Sequence, residues 1–233
     1  MADKWIDQDL KPKVKDILSR SDEYHKKYYT SETFFGPSLH FHQRALEVKD
    51  ANWTAKVELI YAVLTSWGMH RMGASGSKMQ SFVIFKESIA AVKREIKKLQ
   101  QAVPQNLSLS DWHRLEKVFK EMKVMASGTT IVGNSKVLAH LIPNLVAPVD
   151  REYTLNYLFG SKTFPNDLDR EWRLMYKIHE EFYYPVSQNK IFQKKAKRWM
   201  ADIESFPWDT SNLKIIDNLV IGAMRKKKNA ELN

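Results

Sequence analysis

The sequence predicts an all-α fold, and three observations predict it. Apolar residues recur at three- and four-residue spacing along most of the chain. No stretch alternates apolar and polar with the period of two that a half-buried strand shows. With 8 Gly and 8 Pro in 233 residues, the chain is poor in the turn residues that an all-β protein needs. At 43% hydrophobic and 12% aromatic it has the apolar content for a packed interior, which disordered chains lack. The expectation is a compact multi-helix protein over residues 1–233, of roughly eight to ten helices by their periodicity. It subdivides into a central half, 55–150, and a second half in which 1–54 packs with 151–233.

The elements follow in order. Ile6, Leu10, Val14 and Ile17 share one helical face. Gly36-Pro37 places proline at a first helical position before "SLHFHQRALE". Ile60, Val63, Leu64 and Trp67 form the next stripe, followed by a polar, Gly-rich loop over 68–78. Phe85, Ile89, Val92, Ile96 and Leu99 continue the spacing, with "KREIKK" toward solvent. Ser108 or Ser110 caps a helix over 111–124, with Asp111 favourable near its start and Trp112, Leu115, Phe119 and Met122 on its buried face. A glycine turn at 131–135 leads into a short helix. Another helix starts near 151 and ends at Gly160. Three stripes close the chain: Trp172, Met175, His179 and Phe182; Phe192, Ala196, Trp199 and Ile203; and Ile216, Leu219, Val220 and Ala223. The tail "RKKKNAELN" reads as a solvated terminus or a phosphate contact.

Composition narrows the function. There is no cysteine, which excludes disulfides, thiolate zinc sites and cysteine-ligated iron–sulfur clusters. The start "MADKWIDQDLKPKVKD" is charged and has no apolar signal core, and no apolar run approaches the ~20 residues that cross a bilayer. A soluble, intracellular, cytoplasmic protein is expected, nucleoid-associated if it binds DNA, with no membrane partner and no cofactor. The net charge of +10, from 37 Lys+Arg against 27 Asp+Glu, favours an anionic partner, most simply nucleic acid.

Several segments, in order, resemble one family. "ELIYAVLTSW" (58–67) is similar to the early helix of the helix-hairpin-helix DNA glycosylases of the endonuclease III type, which leads into a loop that wedges into DNA. "SLSDWHRLEKVFKEM" falls where that family has the helix before its hairpin. "TIVGNSKVLAHLIP" resembles the hairpin and second helix, so that a helix-hairpin-helix-like element is expected near 112–142. "LVAPVDREYTLNYLFG" resembles the turn that presents an aspartate at a helix start. The likeness covers about residues 55–160, and it departs from the family pattern in places. Only Gly133 remains of the usual two hairpin glycines, Ser135 stands where the lyase members have lysine, and Lys136 follows one residue later. The resemblance implies a protein that cleaves the base–sugar bond of a damaged or mispaired nucleotide in duplex DNA.

The residues suggest how. Positive charge develops on the sugar as a base leaves, and a carboxylate stabilises it. By resemblance that carboxylate is Asp150, which is equally a good helix N-cap. Lys136 is the candidate lyase nucleophile, attacking the sugar to form a Schiff base, or else an exposed first-turn lysine or a phosphate contact. His140, four residues on, shares its face. Gly133, Asn134 and Ser135 would offer helix-start amides and side-chain donors to a phosphate. Trp67, His70, Arg71 and Lys78 in the glycine-rich loop would approach the lesion and hold the backbone, and Arg151 adds charge beside Asp150. His40, His42 and Arg44 lack a convincing third ligand for a metal. "EYHKKYY" (23–29) is either a stacking surface for nucleic acid or a solvated helix edge. Two readings stay open beside the glycosylase: a non-catalytic nucleic-acid-binding module, and a helical protein-interaction protein.

Overall fold

The computed structural model describes residues 5–31, 36–73, 76–127, 129–164 and 166–231. In chain order its helices are α1 (Lys11–Ser19), α2 (Ser21–Ser31), α3 (Pro37–Glu47), α4 (Trp53–Ser66), α5 (Phe82–Ala91), α6 (Lys93–Leu99), α7 (Leu109–Glu121), α8 (Thr130–Leu141), α9 (Asn156–Phe159), α10 (Leu168–Ile178), α11 (Tyr184–Gln188), α12 (Lys190–Ala201) and α13 (Asn212–Glu231). Two π-helical turns, Arg151–Leu155 and His179–Tyr183, run directly into α9 and α11. The fold is all-α. The described strands are β1 (Met72–Gly73) and β2 (Gly76–Ser77), one antiparallel hairpin inside the expected loop 68–78. No helix is long and apolar enough to cross a membrane among the described residues.

Predicted punctuation meets the structure closely at several helix ends. Pro37 opens α3, and Gly160 adopts φ 67° after α9, a conformation that glycine takes without a steric cost. Ser108 caps α7 in a reciprocal capping box with Asp111, so that the helix begins at Leu109 rather than 111 and stops at Glu121. The 85–99 stripe is buried throughout, yet the helix breaks at Val92 into α5 and α6. Two stripe positions depart from expectation. Ile6 precedes α1 and is 40% exposed, and Ile203 follows the end of α12 and is 65% exposed.

The chain divides into two compact units. The first contains residues 1–33, 149–165 and 173–233, and the second contains 34–148 and 166–172. The expected subdivision put 34–54 with the termini, whereas α3 belongs with the central unit. The reason is local: α3 lies along α4, and the Ser38 hydroxyl donates to the Ser66 carbonyl.

In the first unit α13 packs along α2, and Tyr24 and Tyr28 are buried there. Gly222 allows the close approach, since a Cβ at that position would fall on the Tyr24 carbonyl oxygen. His25, also buried, stacks on Trp199 with centroids 4.0 Å apart, and its Nε2 lies 2.7 Å from Asp209. Asp209 also accepts from the Tyr29 hydroxyl and from Asn218 Nδ2. The 23–29 segment therefore turns Tyr24, His25 and Tyr28 inward rather than offering them to a nucleic acid. In the second unit Trp112 and Phe119 of α7 meet Trp172, and Asn134 on α8 donates to the Phe119 carbonyl.

Candidate functional site

The "IVGNSK" segment is not a turn. Helix α8 begins at Thr130, so Gly133, Asn134 and Ser135 lie inside it, all buried. Asn134 Nδ2 donates to the Phe119 carbonyl at 2.6 Å, while its Oδ1 is buried without a hydrogen-bond partner. The Ser135 hydroxyl donates to the Val132 carbonyl. Gly133 faces Met125 and Val124, with room for no Cβ unless the Met125 side chain shifts. The Ile131 amide in the first turn donates to the Glu171 carboxylate, itself 2% exposed. A protein carboxylate thus takes the place expected for phosphate, and these three residues are corrected from phosphate contacts to core.

After α7, Met125 bridges to Met79, Gln80 donates to the Val124 carbonyl, and Ala126 donates to the Lys78 carbonyl. This pairing ties the 68–80 segment to the α7–α8 connection. Within the loop His70, Arg71 and Lys78 are exposed. The His70 ring nitrogen Nδ1 bonds the Thr65 carbonyl and Arg71 Nε donates to the Gly68 carbonyl, so both side chains are held by the end of α4.

Four residues from three elements meet in the second unit. Trp67 sits half-buried at the C-terminal cap of α4. Lys136 on α8 is half-buried, with its Nζ 5.6 Å from the centre of the Trp67 ring, a cation–π contact. His140, one turn further along α8, lies 5.5 Å from the same ring. His42 on α3 completes the group at 6.0 Å from Trp67, and its Nδ1 lies 2.9 Å from His140 Nε2.

The hydrogen bonds fix a direction. His140 Nδ1 lies 2.7 Å from the Lys136 carbonyl oxygen, which only accepts, so Nδ1 carries the proton. In a neutral His140 ring Nε2 then accepts, and His42 Nδ1 donates to it. Both histidines are buried. The group combines an indole face, an ammonium and a directed pair of imidazoles. The hydrogen bonds end on the Lys136 carbonyl, so the imidazole pair anchors α3 to α8 and sets the Lys136 ammonium against the Trp67 indole.

Trp67, Lys136 and His140 are among the candidates legible in the sequence, whereas His42 stands there only in a His-x-His pair without a third metal ligand. On a helix those two histidines diverge, leaving His40 exposed and His42 buried. The His42–His140 pair spans 98 residues of chain, so no local pattern could reveal it.

Asp150 belongs to the first unit. Its Oδ1 accepts from the amides of Glu152 at 2.7 Å and Tyr153 at 3.3 Å, which makes it the N-cap of the π-helical turn. Leu155 reaches back five residues to the Asp150 carbonyl, the bond that defines a π turn. The Asp150 amide donates to Thr154 Oγ1. Tyr183, fully buried, has its phenol pushed well above the ordinary value by burial, then by Asp217, with a smaller push from Asp150 against the opposing hydrogen bond to Thr154. Arg151 and Glu152 are half-buried, and Glu152 pairs with Lys162 at 2.6 Å. Compared with family models, curated proteins and solved structures, the chain matches none of them.

Proposed function

We propose that this chain binds nucleic acid and acts on it as a base-excision glycosylase, cleaving the base–sugar bond of a damaged or mispaired nucleotide. The observation that carries the reading is the meeting of Trp67, Lys136, His140 and His42 at one patch. An extruded base needs a face to stack on, and the Trp67 indole offers one. Lys136 would present its amine to the sugar C1′ from beside that face. As the amine bonds to C1′ the base–sugar bond would break, and the proton the amine loses would go to the departing base, with the His42–His140 pair holding α8 in place. Arg71 and Lys78, exposed on the loop that follows Trp67, would hold backbone phosphates.

A second reading rests on the same hydrogen bond. The His42–His140 contact also ties α3 to α8, which suits a non-catalytic binding module equally well.

Duplexes carrying uracil, 8-oxoguanine, an alkylated base or an abasic site separate the two. The glycosylase reading expects cleavage of at least one, a borohydride-trapped adduct on the abasic duplex, and loss of that adduct in Lys136→Ala. Binding with no product on any duplex leaves the module. Asp150→Asn is tested in parallel: loss of cleavage with folding intact assigns it the sugar-cation role, and unchanged cleavage leaves it a cap.

A further inference from the structure

The helix breaks at Val92 between α5 and α6, and a shallow, open cup lies along them. It is lined by Ala90, Ala91, Lys93, Arg94, Lys97, Lys98 and Gln101. It is open to solvent over most of its extent, a surface for an extended ligand rather than an enclosed pocket. No carboxylate lines it. The neighbouring Glu95 is shared between Lys98 and Arg114, each at 3.4 Å. Arg94 and Lys97 are exposed and form no ion pair or hydrogen bond among the described residues. Lys93 is poised over the Trp53 ring, 4.9 Å from its centre. Like charges kept this close, with no acid among the lining residues, are poised for an anion.

We propose that this cup binds the phosphodiester backbone of duplex nucleic acid, as a contact additional to the Trp67–Lys136 patch. Arg94, Lys97 and Lys98 fall at i, i+3 and i+4 on one face of α6, a track about 6 Å long by the helical rise. One strand of a duplex presents a phosphate about every 3.4 Å of its axis, so such a track meets more than one. The arginine fork and the flexible lysines suit phosphate oxygens. Its apolar lining is two alanines, and no large apolar or aromatic side chain lines it. An acidic protein would call for a central anchor residue, which the lining lacks, and the exposed Val83 and Ile84 lie at the opposite end of α5 from the basic residues.

The test is equilibrium binding of an undamaged DNA duplex of about 20 base pairs, followed by fluorescence anisotropy from about 50 to 200 mM salt. The wild-type chain is compared with Arg94→Gln/Lys97→Gln, whose exposed positions leave the fold intact by circular dichroism. The expected result is at least tenfold weaker binding at low salt and a log–log salt slope shallower by about 2, one for each lost phosphate contact. Equal affinity and slope in the two proteins overturn the proposal. So does wild-type binding to anionic lipid vesicles or polyglutamate without binding to the duplex. The duplex carries no lesion, so a chain that processes no damaged base but shows the slope change loses the glycosylase reading and keeps this one.

Discussion

His179 illustrates what one buried side chain does to the acid limb of stability. Burial pushes its pKa down to about 4, against the opposing pull of its bond to the Met175 carbonyl. The unfolded chain takes up this proton near pH 6.5, and the folded chain only near 4. Between those values the unfolded state binds more protons, so stability falls as the pH drops through that window and is complete above it. The size is about 3 kcal/mol between pH 7 and 4. Urea unfolding of the wild type and His179→Gln across this range should show a flatter acid limb in the variant.

Asp209 makes the complementary point. It is buried against His25, Tyr29 and Asn218, so Asp209→Ala should cost about 3–5 kcal/mol by stranding its partners. The exposed pair Arg44–Glu47, 2.8 Å apart, should cost less than about 1 kcal/mol when broken. Denaturant midpoints of the two variants decide this directly.

At the scale of elements, two glycines on helices predict opposite tolerance. At Gly222 the obstacle to a Cβ is the Tyr24 backbone carbonyl, which moves only if α2 and α13 separate. At Gly133 the nearest obstacle is the Met125 side chain at 2.7 Å, which is flexible. Gly222→Ala should destabilise by about 3 kcal/mol or more, and Gly133→Ala by about 1 kcal/mol, in thermal or urea unfolding.

The same pair of elements shows what the sequence makes legible. Helix faces and ends carry local signatures, so Pro37, Ser108 with Asp111, Asp150 and Gly160 could be read as caps or starts. The Gly133-Asn134-Ser135 run has the composition of a turn but the location of a core, because its partners Phe119 and Met125 come from α7 and the connection after it. The site divides along the same line. Lys136 and His140 share a face by spacing alone, whereas His42 joins them only through the packing of α3. The break at Val92 left no trace in the apolar period, since the stripe continues across it.

At the scale of the whole molecule, most of the second unit is one continuous stretch, 34–148, while the first collects segments from both ends of the chain. The Trp67–Lys136 patch and the α5–α6 cup both belong to that continuous stretch. Asp150 lies just outside it, in the other unit. Charge follows no such division: basic residues occur throughout, and the net charge of +10 alone would not have pointed to either place.

The seating of Gly222 against Tyr24 has a consequence for biosynthesis. The two residues are separated by almost the full length of the chain. At about 5–20 residues per second, α2 leaves the ribosome roughly 10–40 seconds before α13 exists to cover it. During that interval Tyr24 already has Asp16 and Arg20 beside it, but it and Tyr28 lack the cover that α13 gives α2, while most of the 34–148 stretch is already complete and free to pack. The growing chain thus carries α2 with its α13 face uncovered, and that face is where a chaperone would engage it.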